Sequence, residues 1–338
     1  MAELLIDTEA VRCNYNHYAA RGTVIPVLKK DGYGLGAEAM RALLAIQGAA
    51  LFACATPEEA LRLAGKGSDI LLLSCEYNSV LLGELARKDV ILSLESLEQA
   101  KLLQSLGTTV RIHLAVDTGF GRFGFHWQDT AKMRAVFYLD RIRVCGIFSH
   151  FRSMDSAPLQ FERFSRVLET LADYPVGLRH VAATSCAQIP EYRLDAVRIG
   201  SGLVGYEAGL SPAAQLTARV CTVRHLCKGS RIGYGNTRLK RDTDVAIVDT
   251  GTGDGAFLQR GCGLRAWWCS RHRTVTVNEQ QAAVLGLPGL THTAIDVTGL
   301  SCTIGDVVQI AQTPILISPH VPKRYIACYS AATGCLVR

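Results

Sequence analysis

Several features that define whole classes of protein are missing from this sequence. It has no uninterrupted apolar run of about 18 residues, which is what a membrane-spanning helix needs. The first residues, MAELLIDTEAVR, are acidic and amphipathic and do not form a secretory signal pattern. Lys and Arg are scattered, without a basic run that contains aromatic residues. We therefore expect a cytoplasmic protein that binds neither membrane nor nucleic acid.

Paired cysteines are missing as well. The chain has 12 cysteines, but no C-x-x-C pair occurs. Five of them stand singly within apolar stretches: Cys13, Cys54, Cys75, Cys145 and Cys186. This usage is typical of reduced, buried thiols in a cytosolic protein rather than of a disulfide framework. We therefore expect free thiols and no metal centre.

The sequence does contain enough apolar material for a large core. Of its 338 residues 49% are hydrophobic, the mean hydropathy is +0.17, and the net charge is only +6. A chain of this length exceeds one average domain, so we expect a large domain and a smaller one.

Short apolar segments alternate with helix-like segments in the first two thirds of the chain. Eight segments are predicted to be strands: 24–28, 51–54, 70–75, 90–94, 110–116, 143–149, 179–183 and 196–200. Helix starts are readable between them, as in the capping boxes that begin at Thr56 and Ser96. Eight strand-helix units predict a (β/α)8 TIM barrel of the α/β class over residues 8–207.

The pattern changes after about residue 207. Short β-rich runs such as TARVCTVRHL and TDVAIVDTG are separated by glycine-containing turns, with few helical periods. We expect residues 208–338 to form a smaller, mostly β domain, on which residues 1–7 would pack.

Three glycine-containing stretches compete as the functional site. Gly119-x-Gly121-x-x-Gly124 matches the dinucleotide fingerprint, but it follows the fifth strand and contains an arginine. The triplet D-T-G occurs at Asp117 and again at Asp249, as in the two lobes of an aspartic protease. Those proteases are built almost wholly of strands, whereas Asp117 lies in the alternating region, which argues against this interpretation.

The third stretch, VIPVLKKDGYGLG at 24–36, places two lysines where a buried strand ends. A glycine turn and a helical period follow. Ligands bind at the carboxyl ends of strands in α/β sheets, so Lys29 and Lys30 are candidate ligand-binding residues.

This stretch resembles the pyridoxal-phosphate signature K-x-x-x-Y-G of the alanine racemase family. Further segments resemble the family in the same order: IDTEAVRCNYNHY, IHLAVDTGFGRFGF, GIFSHFRSMDS, HVAATSC, RLDAVRIGSGLVGYEAG, KGSRIGYGNT and VDTGTGDGAF. They cover nearly the whole chain, so the sequence is identified as a member of this family. The resemblance implies a pyridoxal-phosphate enzyme of fold type III, a barrel followed by a β domain.

The resemblance also implies roles for individual residues. Lys29 would carry the cofactor covalently and act as the base on one face of the substrate, whereas Lys30 would be a solvated neighbour. Arg198 would face the pyridine nitrogen, His150 would pack near the ring, and Arg122 would lie near the cofactor oxygen and the substrate carboxylate. The positions that match the family's phosphate-binding residues are Tyr33, Ser185, Gly200 and Ser201.

The second half of the implied site departs from the family pattern. The resemblance implies a homodimer. In enzymes of this family, the β domain of the partner subunit supplies the second base, a tyrosine in a G-Y-x-D-G motif. This chain has Thr252 at that place, followed by Asp254 as a candidate substitute. A threonine hydroxyl does not ionise near neutral pH, whereas a phenol has a pKa near 10.

Three smaller departures accompany Thr252. Ala115 stands where many members have a modified lysine that orients the arginine equivalent to Arg122. Pro319 or His320 falls where a second phosphate-contacting tyrosine is expected, and Asn278–Gln280 is the best match to an M-D-Q element.

The sequence therefore predicts a pyridoxal-phosphate-dependent amino-acid racemase or epimerase whose substrate need not be alanine. A decarboxylase or aldolase that uses Lys29 as its only base remains an alternative. So does a pseudoenzyme that binds pyridoxal phosphate for regulation.

Overall fold

The computed structural model describes residues 1–258 and 273–327. The chain divides into two compact units. One is formed by Ala10–Ser211, and the other combines Met1–Glu9 with the residues from Pro212 onward. The sequence-based boundaries at 207 and 208 stay a prediction, since these units are defined by internal packing alone.

The first unit is the expected barrel. Its eight parallel strands are β2 (Thr23–Pro26), β3 (Leu51–Cys54), β4 (Asp69–Leu72), β5 (Ile91–Leu94), β6 (Val110–Asp117), β8 (Ile142–Phe148), β9 (Leu178–Ala183) and β10 (Ala196–Ile199). A two-residue strand, β7 (Phe125–His126), also pairs with β6. Neighbours follow the order β2-β10-β9-β8-β6-β5-β4-β3, and a bridge between Val27 and Ala53 joins the first strand to the last. The prediction of eight strands in a TIM-like barrel is confirmed.

Helices alternate with these strands. They are α1 (Thr8–Ala19), α2 (Lys29–Tyr33), α3 (Ala37–Ile46), α4 (Pro57–Leu63), α5 (Ser79–Arg87), α6 (Leu97–Ser105), α7 (Thr130–Val136), α8 (Ala157–Thr170) and α9 (Ser201–Val204). Single 3-10 turns occupy Thr184–Cys186 and Pro190–Tyr192. Apolar residues of the strands, including Ile25, Leu71 and Ile91, form the barrel core. None of the described helices is long and apolar enough to cross a membrane.

The predicted helix starts are largely confirmed. Thr56 and Glu59 form a complete capping box at α4. At α6 the Ser96 hydroxyl accepts from the backbone amide of Gln99. The Gln99 side chain accepts from the backbone amide of Glu95, whereas a closed box would need the backbone amide of Ser96. That second capping box is therefore only half formed.

The expectation that the five single cysteines are buried is wrong for Cys13. It is exposed, because α1 directs Val11, Asn14 and Tyr15 inward and leaves Cys13 on the opposite side. Cys54 and Cys186 are buried, and Cys75 and Cys145 are half-buried. None of the eight cysteines in the described ranges forms a disulfide.

The second unit is mostly β, as expected. Its strands are β1 (Glu3–Asp7), β11 (Ala214–Leu226), β12 (Arg231–Ile232), β13 (Thr237–Arg238), β14 (Thr243–Val248), β15 (Thr274–Val277), β16 (Gln280–Val284), β17 (Thr293–Asp296), β18 (Val307–Ile310) and β19 (Lys323–Ile326). The main sheet has the order β14-β17-β16-β15-β18-β11-β1-β19, with a further pairing of β14 with β11. Strand β1 lies antiparallel to β11 and parallel to β19. Two 3-10 turns, Thr252–Asp254 and Pro314–Leu316, lie between strands.

Candidate active site

A cavity of about 260 Å³ lies within the barrel unit. Eight of the ten predicted site residues line it: Lys29, Tyr33, Arg122, His150, Ser185, Arg198, Gly200 and Ser201. They follow or end different barrel strands, so they meet only because a barrel brings its strand ends together. Thr252 and Asp254 belong to the second unit.

Lys29 enters this cavity from an unusual turn. After it, the backbone φ angles are +52° at Lys30, +54° at Asp31, +65° at Gly32 and +57° at Tyr33, which is a left-handed helical turn. A non-glycine residue in this conformation costs about 1–2 kcal/mol, so the turn needs support. The amide of Lys30 donates to Glu59, and the Asp31 carboxylate accepts from the Ala37 amide, at 2.6 and 2.9 Å. Lys29 consequently lines the cavity, whereas Lys30 is exposed.

The same turn places the Tyr33 ring against Gly200. A Cβ atom at Gly200 would overlap the Tyr33 hydroxyl, so only glycine leaves room for this ring. The Lys29 Nζ lies 5.6 Å from the centre of the ring. The hydroxyls of Tyr33, Ser185 and Ser201 thus border one cavity.

Thr184 supports this end of the cavity and was missed by the sequence reasoning. Its Oγ1 accepts from the amides of Gly200 and Gly202, at 3.3 and 3.4 Å. The hydroxyl is buried and ties the turn after β9 to the start of α9. Its neighbour Ser185 attracted attention only through the family motif, which gave no signal for Thr184.

Arg198 lies at another side of the cavity and is only 4% exposed. Its guanidinium donates to the carbonyls of Ser149, His180 and Val181, at 2.6, 3.0 and 3.0 Å. It also donates to His180 Nδ1 at 2.5 Å, and its Nη2 lies 3.4 Å from His150 Nδ1. In the described part of the chain no carboxylate pairs with it. Burial and the charge of Arg122 lower the pKa of Arg198 to about 9, which still leaves it protonated at neutral pH.

Two buried histidines, His180 and His113, form a hydrogen-bonded row that begins at Arg198. His180 Nε2 lies 2.9 Å from His113 Nδ1. Burial, with the charge of Arg198, lowers the pKa of His113 to about 3 and that of His180 well below its usual range, so both rings are neutral. Arginine only donates, so His180 must accept at Nδ1 and donate from Nε2 to His113. The His113 ring fits because Gly146 has no side chain there; a Cβ would overlap it.

His150 is neutral for a similar reason. Burial, Arg198, Arg122 and Lys29 together lower its pKa to about 3. The centre of its ring lies 5.4 Å from the centre of the Phe120 ring.

Arg122 is held by aromatic rings rather than by an acid. Its guanidinium carbon lies 4.3 Å from the centre of Phe120 and 5.7 Å from that of Phe123. Neither phenylalanine was predicted as a site residue, although both stand in the quoted stretch VDTGFGRFGF. Ala115, 1% exposed, also lines the cavity and offers no polar group to the arginine.

The loop that carries Arg122 explains the first D-T-G triplet. Asp117 Oδ1 accepts from the amides of Gly119, Phe120 and Gly121, at 2.8–3.1 Å. A Cβ at Gly124 would overlap the backbone of Asp117. Asp117 and the glycines therefore build a turn. Asp249, in the second unit, accepts from the Arg219 amide.

In the second unit, Thr252 and Asp254 lie in one short turn. The Thr252 amide and hydroxyl both approach the Gly289 carbonyl, at 2.9 and 3.3 Å. Asp254 Oδ2 accepts from the Thr250 hydroxyl and the Gly251 amide, at 3.0 and 3.1 Å. Asp254 thus organises the turn itself, and the Thr252 hydroxyl donates to a carbonyl.

The two further positions that depart from the family pattern have different surroundings. The amide of Ser318 donates to the Asp254 carbonyl at 2.9 Å, so the segment that contains Pro319 and His320 adjoins this turn. Asn278 and Glu279 form the tight turn between β15 and β16, with φ values of +47° and +64°. The segment bonded to Thr252 and Gly253 is instead Gly289–Leu290. No residue of 278–280 is among the hydrogen-bond partners of Thr252 or Asp254 in the described ranges.

The fold and this cavity define a barrel protein with a lysine at a ligand site and an accessory β unit. Family models for the alanine racemase N-terminal and C-terminal domains match residues 6–208 and 213–323. The chain belongs to the alanine racemase family, a family of pyridoxal-phosphate-dependent isomerases. Both the dinucleotide and the aspartic protease interpretations are thereby wrong.

Individual relatives agree with this assignment. The chain is 32% identical to an alanine racemase of Desulforamulus reducens, over 74% of this chain and 75% of that one. It is 29% identical to an alanine racemase of Carboxydothermus hydrogenoformans, over 95% and 98% of the two chains. Among solved structures, the alanine racemase of Clostridium difficile shares the fold with a TM-score of 0.87, at 20% identity, covering 100% of this chain and 97% of that one.

Proposed function

We propose that this protein is a pyridoxal-phosphate-dependent amino-acid racemase or epimerase, with the cofactor held covalently by Lys29. The observation that carries the proposal is the content of one cavity: a lysine amine, three hydroxyls beside a glycine, and a buried arginine. The names of the relatives support the class of reaction.

The cavity residues fit this cofactor in kind. Hydroxyls of Tyr33, Ser185 and Ser201, at a turn where Gly200 admits no side chain, suit a phosphate group. Arg198 is a fixed donor that suits the lone pair of an unprotonated pyridine nitrogen. Lys29 supplies the primary amine that a covalent aldehyde cofactor requires.

Bound pyridoxal phosphate supplies an electron sink for negative charge at the α-carbon of an amino acid. The chain's own groups do the rest. Lys29 takes or returns the α-proton on its face of the substrate, for which it must be neutral part of the time. Arg198 keeps its proton at neutral pH, because its pKa of about 9 lies above that pH. Arg122, held on two phenylalanine rings, binds the substrate carboxylate.

Inversion at the α-carbon also needs a proton donor or acceptor on the opposite face. We infer that this half of the site comes from the second unit of a partner subunit in a cytosolic homodimer, as the resemblance implies. Thr252 is a poor proton carrier, since its hydroxyl does not titrate near neutral pH. The substrate side of this site therefore differs from that of a tyrosine-containing racemase, and we propose an amino-acid substrate that need not be alanine.

The test follows the α-proton of separate L- and D-amino acids by NMR in deuterated water, together with chiral analysis. We expect the cofactor-loaded enzyme to exchange the proton and to invert at least one amino acid. Exchange of one enantiomer without inversion would replace the racemase with a one-base decarboxylase or aldolase type of enzyme. No exchange with any amino acid would favour a regulatory pseudoenzyme. Lys29→Ala mixed with the same amount of free pyridoxal phosphate is the control for exchange that the protein does not catalyse.

Sedimentation of the cofactor-loaded protein tests the homodimer separately. A single species of twice the chain mass is expected across micromolar concentrations. A monomer that retains full inversion activity would contradict the shared site.

A further inference from the structure

A group of side chains that bind metals lies at one end of the β11–β14 ladder, in the second unit. His225 on β11 pairs with Asp244 on β14, and Leu226 pairs with Thr243. Cys227 and Asp242 are the next residues beyond this register. Because alternate residues of a strand share a face, His225 and Cys227 lie on the same face as Asp244 and Asp242.

The distances within this group are short. An imidazole nitrogen of His225, the Cys227 Sγ and a carboxylate oxygen of Asp242 all lie within 4.8 Å of one another. All three residues are exposed, so an ion can reach them from solvent. In a tetrahedral site, ligand atoms about 2.0–2.3 Å from the zinc ion stand about 3.3–3.8 Å apart, so side-chain movements of roughly 1 Å close the site.

The neighbouring hydrogen bonds orient two of the three ligands. His225 Nδ1 lies 2.8 Å from Asp244 Oδ1, and donation from Nδ1 leaves Nε2 with the lone pair that a metal needs. Metal-binding histidines usually donate their other ring nitrogen to a carboxylate in this way. Asp242 Oδ1 accepts from the Lys228 amide at 2.7 Å, which fixes that side chain. Arg241, the adjacent cation, is paired with Asp296 at 3.0 Å rather than with Asp242.

We propose that His225, Cys227 and Asp242 bind a zinc ion, with water in the fourth position. One nitrogen, one sulfur and one oxygen ligand make a set that zinc accepts in tetrahedral geometry. On binding, the Cys227 thiol loses its proton to solvent and the sulfur forms a bond to zinc, without any change of oxidation state. This site would tie the end of β11 to the start of β14.

The test is equilibrium dialysis of the cofactor-loaded protein against Zn²⁺, with zinc counted per chain. Cys227→Ser and His225→Asn are each expected to bind one equivalent less than the unmodified protein. The matched control is Cys221→Ser, since Cys221 is exposed on the same strand, near Asp249, and has no histidine in that group. The readout is the difference in zinc count between each variant and the unmodified protein. The total count alone does not suffice, because it includes any zinc held by Cys262, Cys269, Cys328 and Cys335, which lie outside the described residues.

Cobalt provides a second readout of the same site. Co²⁺ bound to a thiolate absorbs in the near ultraviolet, and this band should fall in Cys227→Ser while Cys221→Ser keeps it. Zn²⁺ should also raise the melting temperature of the unmodified protein more than that of Cys227→Ser. Equal zinc counts for the unmodified protein and Cys227→Ser would overturn the proposal, whatever the enzyme's activity.

Discussion

At the scale of the residue, two adjacent lysines have different surroundings. Lys29 lines the cavity and Lys30 is exposed, because the left-handed turn begins between them. We expect Lys29→Ala to abolish the visible absorbance of protein-bound pyridoxal phosphate, since no amine remains to hold the cofactor covalently. Lys30→Ala, the matched control, should keep the spectrum of the unmodified protein. Visible absorbance retained in Lys29→Ala would remove the cofactor assignment.

Thr252 gives the second prediction at this scale. Thr252→Tyr introduces a group with a pKa near 10 at the position that we propose for the second base. We expect alanine racemisation to rise by about tenfold or more, the usual contribution of general acid-base catalysis being about 10²–10⁴. Thr252→Phe is the control, because it adds the ring without the hydroxyl. If both variants gain equally, ring packing rather than proton transfer explains the effect.

Motifs in the sequence pointed to single residues that the structure places in one cavity. Lys29, Arg198 and His150 stand in segments whose order matches the family, and the cavity contains all three. Thr184 and the phenylalanines on Arg122 have no such signature, because their roles depend on where neighbouring backbone amides and rings fall in three dimensions. Asp254 shows the converse: its residue type suggested a catalytic substitute, whereas its hydrogen bonds are those of a turn.

At the scale of the element, the turn between β10 and α9 depends on one glycine. A Cβ at Gly200 would overlap the Tyr33 hydroxyl, so Gly200→Ala must displace the tyrosine ring. We expect cofactor affinity to fall by about tenfold or more, equivalent to roughly 1.4 kcal/mol or more. Titration of apoprotein with pyridoxal phosphate measures this change. Gly83→Ala, in α5, is the control, since the nearest atom to its new Cβ is 3.9 Å away; equal affinity in both variants would contradict the argument.

The elements themselves were predictable to different degrees. Each barrel strand combines a short apolar run with flanking turn residues, so all eight were found within a few residues of their ends. The left-handed turn after Lys29 was not foreseen, because Lys30, Asp31 and Tyr33 carry no preference for positive φ that outweighs its cost. The turn is held by the Ala37 amide, a few residues further along the chain, and by Glu59, which the sequence alone does not bring near.

At the scale of the whole molecule, the buried neutral histidines make stability depend on pH. His113 has its pKa lowered from 6.5 to about 3 by burial, so the unfolded chain binds the proton first as pH falls. Above pH ~6.5 the neutral ring therefore makes its full contribution to the free energy of unfolding. On acidification from there towards pH 3, the free energy of unfolding falls by about 1.4 kcal/mol per pH unit.

The measurement compares the unmodified protein with His113→Asn by denaturant unfolding from pH 7 to pH 4. Asparagine does not titrate, so the variant's deficit in unfolding free energy should shrink as pH falls. A deficit of the same size at every pH would contradict a buried, neutral His113.

The pairing of β1 has a consequence for how the chain is made. Strand β1 lies between β11 and β19, so residues 3–7 find their last partner only when Lys323–Ile326 have been synthesised. At roughly 5–20 residues per second, that wait lasts about 15–60 s. Once β11 has been made, β1 can pair along one edge, but the edge that faces β19 stays open until the end of this wait. An open strand edge of this kind is a surface on which a chaperone or another chain can pair.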